Sequence, residues 1–340
     1  MLLRREPVTV VDAVERLAGL QAQEPKPPFV ALQARLADFD AGELRTAIRA
    51  GDVVRATLMR GTLHLVSASD FLALRNAVAA DLDAVIRMLG ARAAGLDVEV
   101  VTAAARELLA QEPRTFNELR ALLQERFPDV NHRALGYVSR MALPLTMVPT
   151  DDRWCFPRDS AFALPKRKPG RGDAAKLVRR YLAAFGPASV ADAQGWAGVK
   201  GLQRVFDELE LETFSDEQGR RLFDLPDAPR PGEDVPAPVR LLGEFDSLML
   251  AHADRTRLID DEHRPLVTTK NLRVKAAFLV DGRVAGTWTA ARKRKEATLT
   301  LAPFGKLAKR SIAELEREAE ALLRFLEPDA ETVAVAVSAP

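Results

Sequence analysis

The sequence predicts an α+β fold: three tandem winged-helix units, each a helix-turn-helix with a β-hairpin attached, followed by a C-terminal β-barrel with one covering helix. Residues 8–68, 98–164 and 173–226 each contain short helical segments followed by two strands around a polar turn. After the proline-rich stretch 227–240 the pattern changes to short strands and one amphipathic helix. We therefore expect a first winged helix with a helical connector, two further winged helices and a barrel, over residues 1–96, 97–171, 172–237 and 238–340.

The first unit opens with a helix whose apolar residues recur at helical spacing, at Val10, Val14, Leu17 and Leu20. Prolines at 25, 27 and 28 interrupt the chain, and a second helix is predicted over 30–39. A third helix begins near Ala41 and stops at Gly51. The segment VVRATLMRGTLHLV then predicts two strands around Arg60 and Gly61, and residues 69–96 predict a helical connector.

The second and third units repeat this order. In the second, VTAAARELLA, FNELRALLQERF and NHRALGYVSRMAL are predicted helices, and Thr115 with Glu118 fits a capping box. Its hairpin is LTMVPTDDRWCFP. In the third, DAAKLVRRYLAAFG, VADAQGWAG and VKGLQRVFDELEL are helical, and LETFSDEQGRRLFDL is strand, turn and strand.

The C-terminal region reads as a small, mostly antiparallel sheet closed into a barrel. Its predicted strands are VRLLGEFDSLML, PLVTTK, KAAFLVDG, RVAGTWTA, ATLTLAPF and ETVAVAVSA. Asp281-Gly282 is a strong hairpin signal between two of them. Residues 307–325 predict the covering amphipathic helix.

Composition excludes several classes of protein. Hydrophobic residues make up 47% and charged residues 29% of 340, which excludes wholesale disorder. The single cysteine excludes an internal disulfide, and the four histidines lack metal-ligand spacing, so we expect no metal and no cofactor. No apolar run is long enough for a signal peptide or a membrane span. The expectation is a cytoplasmic, nucleoid-associated monomer.

The net charge of +1 hides a strong asymmetry. Residues 264–310 contain twelve basic and two acidic residues, a net +10, so the rest of the chain carries −9. An isolated basic run is usually a solvated loop, but this excess is typical of phosphate contacts. The run RKRK lies between two predicted strands and is expected to form a hairpin tip. The candidate DNA-binding residues are Lys166, Arg167, Lys168, Arg171, Lys270, Arg273, Arg292, Lys293, Arg294 and Lys295.

Two glutamines form the candidate catalytic site. Gln21 and Gln23 flank Ala22 after the first helix, and in an extended segment both side chains point to one side. Each amide offers one acceptor and two N–H donors, enough to hold a water or a sugar-phosphate. From spacing alone, the simpler interpretation is that two glutamines beside a proline-rich loop are only solvated.

The strand after Arg60 supplies possible support for this site. Alternation places Arg60, Thr62 and His64 on one face and Leu63 and Leu65 on the other, which packs inward. The polar face is expected to border the glutamine pair. A lone histidine in such a place is more often structural than catalytic.

A family resemblance joins these observations. The blocks GLQAQEP, AL-x-AR, MRGTLHLV, RYLAAFGPASVADAQGWAG, LLGEFDSLMLAHADR and FLVDGRVAGTW resemble, in this order, the AlkZ-like family of bacterial DNA glycosylases, also described as winged helix DNA-binding domain proteins. The resemblance covers nearly the whole chain. Members of the family have another helix before VDAVERLAGLQAQ, whereas ten residues precede Val11 here, so either the start is misassigned or the first unit is trimmed.

The resemblance implies a function and a site. The family removes alkylated purines from DNA, some members unhook interstrand crosslinks, and its catalytic motif of Gln, apolar residue and Gln maps onto Gln21, Ala22 and Gln23. A related branch has Asp at the last position, so Gln23 places this chain with the AlkZ branch. The expected partner is double-stranded DNA carrying alkylated purines.

Two other functions remain open from the sequence. Helix-turn-helix units most often serve transcription factors, so the chain is alternatively a non-catalytic DNA-binding regulator. It is also open whether the winged helices form a scaffold that binds protein.

Overall fold

The computed structural model describes residues 1–79, 82–269 and 273–338. They form two compact units. The larger unit comprises Val10–Pro25 and Ala41–Ala228, and the smaller unit comprises Met1–Thr9, Lys26–Asp40 and Pro229–Pro340. The division into four consecutive domains stays a prediction. Residues 26–40, expected in the first domain, belong to the smaller unit with the C-terminal residues.

The elements confirm a mixed α+β class. The α-helices of the described residues are α1 Val10–Arg16, α2 Pro27–Gln33, α3 Ala41–Ala50, α4 Ala68–Leu74, α5 Leu82–Leu89, α6 Val98–Gln111, α7 Phe116–Arg126, α8 His132–Ala142, α9 Ala174–Phe185, α10 Val190–Ala197, α11 Gln203–Glu208, α12 Arg264–Val267 and α13 Lys309–Leu326. The strands there are β1 Leu20–Gln21, β2 Val53–Thr57, β3 Leu63–Ser67, β4 Thr146–Met147, β5 Phe162–Ala163, β6 Glu212–Ser215, β7 Arg221–Asp224, β8 Arg240–Leu242, β9 Ala277–Val280, β10 Arg283–Lys293, β11 Glu296–Pro303 and β12 Thr332–Val337.

The larger unit contains helices and three hairpins in the predicted order, but the second strand of the second hairpin is Phe162–Ala163 and not the predicted segment WCFP, residues 154–157. Its hairpins are β2–β3, β4–β5 and β6–β7, and all three are antiparallel. The capping box of Thr115 and Glu118 opens α7, as predicted, and a second one, Ser189 with Asp192, opens α10. The first two hairpins share one sheet, in the order β1-β3-β2-β4-β5, rather than standing as separate wings. The assignment of three winged-helix units stays a prediction.

The smaller unit corrects the predicted barrel. Its five strands form an open sheet in the order β12-β11-β10-β9-β8, with β12 and β8 at the edges. Strand β12 pairs parallel to β11, and the other neighbours are antiparallel. The predicted helix is present as α13, which contacts β8, β11 and β12. The expected strand PLVTTK is also wrong, because Arg264–Val267 forms the short helix α12 with Pro265 in its first turn.

Two turns of this sheet follow from local chemistry. Asp281 and Gly282, with φ of 49° and 75°, connect β9 to β10, as the sequence predicts for a primed turn. Arg294, with φ of 57°, lies in the turn between β10 and β11. The basic run therefore forms a hairpin tip, with its first two residues, Arg292 and Lys293, still in strand β10.

A buried ion pair joins two distant segments of the smaller unit. Arg35, just after α2, donates to both oxygens of Asp246 at 2.7 and 2.8 Å, and each residue is 3% exposed or less. The carboxylate also accepts from the backbone N–H of Leu248. Both partners lie in sequence blocks that carry the family resemblance, AL-x-AR and LLGEFDSLMLAHADR.

We predict that Arg35→Met destabilises the smaller unit by about 3–5 kcal/mol, because it leaves the buried carboxylate of Asp246 unpaired. The double variant Arg35→Met/Asp246→Asn should recover part of this loss, since no buried charge remains. Urea unfolding followed by tryptophan fluorescence measures it, because Trp288 is buried in the same unit. A single-variant cost below about 1 kcal/mol, as for surface pairs, would contradict the prediction.

Within the described residues, no helix combines the length and apolar character needed to span a bilayer.

Candidate functional site

A left-handed turn delivers the glutamine motif to the sheet. Ala18 and Gly19, with φ of 52° and 85°, end α1, and the N–H of Gly19 donates to Val14 O at 2.9 Å. A Cβ on Gly19 would lie 2.6 Å from Cγ1 of Val66, so this position requires glycine for space as well as for backbone conformation. The chain therefore enters β1 directly from the helix.

A network of charges anchors α1 next to this turn. Glu15 accepts hydrogen bonds from Ser67 at 2.7 Å, Ser69 at 2.9 Å and Arg180 at 2.5 Å. Burial opposes ionisation of Glu15, but these hydrogen bonds outweigh it and hold its pKa below the usual value. Arg180 on α9 also pairs with the buried Asp70 of α4. Three helices of the larger unit are thus joined at the base of the motif.

The motif is the edge strand of the sheet. Gln21 pairs with His64 of β3, and the N–H of Ala22 donates to Leu63 O at 2.7 Å. Ala22 is 1% exposed, whereas Gln21 is half-buried and Gln23 is exposed. This alternation agrees with the expectation that both glutamines lie on one side of an extended segment.

Each glutamine side chain contacts the β2–β3 hairpin. Gln21 Oε1 accepts from Arg60 Nη2 at 2.8 Å. Gln23 Oε1 accepts from the N–H of Leu63 at 3.4 Å, a long and weak bond. The side-chain oxygen Oε1 of Gln23 can therefore still accept a hydrogen bond from a stronger donor, such as a water molecule.

The alternation had predicted that Arg60 lies on one face of a strand. Instead, Arg60 lies in the hairpin turn. It forms part of the 3-10 turn Met59–Gly61 with φ of 55°, and its guanidinium donates to Trp196 O as well as to Gln21. The C-terminal end of α10 packs directly on this turn, because a Cβ on Gly198 would lie 2.8 Å from Cα of Arg60. The GWAG segment thus supports the arginine that holds Gln21.

Thr62 and His64 also differ from the expected polar face. Thr62 Oγ1 donates to Met59 O at 3.1 Å, and His64 is 2% exposed with Nδ1 3.1 Å from Thr62 O. Burial, and then the charge of Arg60, lower the pKa of His64 to about 3. His64 is therefore a neutral core residue at pH 7, with a structural rather than a catalytic role.

Sequence reasoning missed Arg55, which lies on β2 behind the motif. Its Nε donates to Ala22 O at 2.9 Å and its Nη2 to Gln23 O at 3.1 Å. The signal that was available is its position in VVRAT, where the inward face of a strand carries a cation between apolar residues. The role of Trp196 O as a partner of Arg60 has no sequence signal, because it is a backbone contact.

The four candidate DNA-binding residues of the larger unit lie in one exposed loop. Lys166, Arg167, Lys168 and Arg171 are all exposed between β5 and α9. The loop offers four cations to solvent, as DNA contact requires.

The basic block of the smaller unit is more neutralised than its sequence implies. Six of its cations pair with acidic residues that lie outside the block in sequence, in the pairs Arg264–Asp261, Arg273–Glu244, Arg283–Asp260, Arg292–Glu327, Lys295–Glu331 and Arg310–Glu314. Lys293 and Arg294 remain exposed at the tip. Lys270 lies outside the described residues. The net charge of +10 counted along residues 264–310 therefore overstates the positive charge that this surface presents.

Comparison with known proteins gives the class of enzyme. The family match and the names of the similar proteins make this chain a DNA glycosylase, an enzyme that hydrolyses N-glycosidic bonds. The chain belongs to the DNA glycosylase AlkZ-like family, which matches residues 14–325.

One relative and one solved structure are similar to this chain over most of its length. An interstrand DNA cross-link repair glycosylase of Streptomyces sahachiroi is 25% identical, over 92% of this chain and 90% of that protein. The structure of Streptomyces sahachiroi DNA glycosylase AlkZ matches with a TM-score of 0.80 and 23% identity, over 99% of this chain and 95% of that one, and shows the shared fold.

We predict that His64 makes the protein less stable as the pH falls below about 6.5. Its pKa is lower in the folded state, so the unfolded chain binds more protons between about pH 3 and 6.5. Between pH 7.5 and 5.5 the His64 contribution to the free energy of unfolding should fall by about 1.4 kcal/mol. Urea unfolding at the two pH values, in wild type and His64→Gln, measures it. An equal pH dependence in both proteins would show that His64 is not buried in its neutral form.

Proposed function

We propose that this protein hydrolyses the N-glycosidic bond of cationic alkylated purines, N7 or N3 adducts, in duplex DNA, interstrand crosslinks among them. The observation that carries the proposal is the pair of amides at the edge of the sheet, with Gln23 exposed and its side-chain oxygen Oε1 only weakly engaged. Gln21 and Gln23 occupy the positions of the family motif. The relative from Streptomyces sahachiroi carries cross-link repair in its name.

The chemistry of an amide suits such a substrate. A purine alkylated at N7 or N3 carries positive charge, so its glycosidic bond is weak and the departing base needs little protonation. The enzyme has then to extrude the nucleotide, hold a water against C1′ and tolerate an oxocarbenium-like sugar. The side-chain oxygen of Gln23 accepts a hydrogen bond from that water. Arg60 holds the side chain of Gln21 next to Gln23. A neutral base such as uracil needs stronger acid assistance than these amides supply.

The remaining candidate residues are proposed to hold the DNA. The loop cations Lys166, Arg167, Lys168 and Arg171 and the tip cations Lys293 and Arg294 are exposed and suited to phosphate contacts. We assign the three sets of helices and hairpins of the larger unit to winged-helix units, and we expect the protein to bind DNA as a monomer. Arg273, Arg292 and Lys295, which form ion pairs with Glu244, Glu327 and Glu331, are the weaker members of the proposed interface.

We predict that Gln23→Ala lowers the single-turnover rate of 7-methylguanine release from duplex DNA by at least about 100-fold, because the attacking water loses its acceptor. DNA affinity should stay within about threefold, since a neutral amide neutralises no phosphate and releases no counterions. Free base and abasic sites are quantified from the same reaction, and a filter-binding assay measures affinity.

Glu24→Gln is the matched control for this variant. Glu24 is the adjacent exposed carboxylate, and the substitution removes its charge while keeping its length. Release should persist at close to the wild-type rate. If Glu24→Gln loses activity while Gln23→Ala keeps it, the carboxylate and not the amide activates the water. If wild type binds DNA and releases no base, the protein is a non-catalytic DNA-binding regulator.

We predict that Lys293→Ala/Arg294→Ala weakens DNA binding uniformly across sequences. Two lost phosphate contacts should reduce the slope of log affinity against log salt by up to about 1.8. Arg324→Ala, which removes an exposed cation of α13, is the control and should leave the slope unchanged. A double variant with the wild-type slope would show that the hairpin tip does not contact DNA.

A further inference from the structure

Arg55 is a buried cation with an unusual set of partners. It is 3% exposed, and among the described residues its guanidinium reaches two hydrogen-bond acceptors, the carbonyl oxygens of Ala22 and Gln23. Its carbon Cζ lies 5.1 Å from the centre of the Phe156 ring, so one face of the guanidinium is covered by an aromatic side chain. No carboxylate forms an ion pair with it within the described residues.

This arrangement is costly for the fold. Burial lowers the pKa of Arg55 to about 10, although the charge of Glu24 acts in the opposite direction, so the guanidinium is poorly solvated but still charged at neutral pH. An apolar side chain of similar size would avoid the cost of desolvating a charge. The buried guanidinium holds the backbone carbonyls of Ala22 and Gln23, which an apolar side chain could not do.

The guanidinium holds the part of the motif that the sheet does not. Strand β1 is only two residues long, and the ladder ends where the N–H of Ala22 donates to Leu63 O. Beyond that bond, the weak contact from Leu63 to the Gln23 side chain is the remaining tie to β3. Arg55 donates hydrogen bonds to the next two backbone carbonyls, those of Ala22 and Gln23. Because the guanidinium is planar, it fixes the orientation of both peptide planes together. The direction in which the Gln23 side chain leaves the backbone depends on these planes.

We propose that Arg55 is a positioning residue for catalysis: by gripping the carbonyls of Ala22 and Gln23 it aims the Gln23 amide at the attacking water. This inference rests on the function proposed above for Gln23. Arg55 is buried, and in this role it touches neither DNA nor the reacting atoms. It acts on the rate of base release and not on binding.

Arg75 provides a matched control in the same unit. It is also 3% exposed, and its guanidinium also donates to two backbone carbonyls, those of Met141 and Leu143 at 2.7 and 3.1 Å. The two arginines therefore share burial and partner type, and they differ in the segment that they hold. A merely structural arginine should behave like Arg75.

The test compares Arg55→Met, Arg55→Lys and Arg75→Met in the full-length protein. In single-turnover release of 7-methylguanine, Arg55→Met should lower the maximal rate about 10- to 100-fold with the dissociation constant for DNA unchanged. Arg55→Lys keeps the charge but not the fork, and should recover only part of the rate. Arg75→Met should leave the rate of its folded fraction unchanged. Equal losses in Arg55→Met and Arg75→Met, or a loss in affinity alone, would overturn the proposal.

Coupling to Gln23 distinguishes positioning from an independent effect. In a Gln23→Asn background, where the amide is already withdrawn by one methylene, Arg55→Met should add less than about a threefold loss, because both changes disable the same contact. Full additivity of the two losses would mean that Arg55 does not act through Gln23.

Amide hydrogen exchange keeps the inference separate from the proposed function. Exchange in the peptide that spans residues 20–25 should accelerate in Arg55→Met and stay at the wild-type rate in Arg75→Met. If wild type releases no base, the proposed function fails, while accelerated exchange still shows that Arg55 holds the motif. If exchange is unchanged in Arg55→Met, the positioning role fails even when Gln23→Ala is inactive.

Discussion

The site depends on a two-residue ladder. Leu20 and Gln21 pair with β3 immediately after a left-handed turn, and this pairing decides which side chains of the motif face the sheet and which face solvent. A slip of one residue would bury both glutamines and expose Ala22, because side chains alternate along a strand. Such a short ladder is weak by itself, so the flanking contacts matter: Gly19 against Val66 before it, and Arg55 on the carbonyls after it.

The electrostatics of the site follow from the same geometry. Two guanidinium groups surround the motif, Arg60 on the Gln21 side chain and Arg55 on its backbone, and His64 beneath it is neutral. Neither amide is an acid or a base of useful strength at pH 7. In the proposed function, the site therefore orients a water and does not protonate a leaving group, which would restrict it to bases that depart readily. In the proposed function, the substrate class is thus a consequence of the side chains that the site contains.

Sequence predicted more of the local structure than of the packing. The Thr115 capping box, the Asp281-Gly282 turn and the hairpin around Arg60 and Gly61 were predictable because each depends on neighbours in the chain. The barrel was wrong because closure depends on whether the edge strands β8 and β12 meet, which no local pattern reveals. The strand at PLVTTK was wrong because Pro265 suits the first turn of a helix.

The same division holds at the site and on the charged surface. The expected alternation agrees with the burial of Ala22 between a half-buried Gln21 and an exposed Gln23. It failed for His64, because every residue of β3 is buried. The net +10 of residues 264–310 was counted along the chain, whereas Glu327 and Glu331 neutralise Arg292 and Lys295 from a later segment.

The most direct test of the central claim compares two duplexes that differ in one base. One carries a single 7-methylguanine and the other a single uracil, and each is incubated with excess wild-type protein. If the amides only orient a water, free base and abasic sites appear from the 7-methylguanine duplex and the uracil duplex stays intact. Release of uracil at a comparable rate would contradict the account, as would an intact 7-methylguanine duplex under conditions in which the protein binds it.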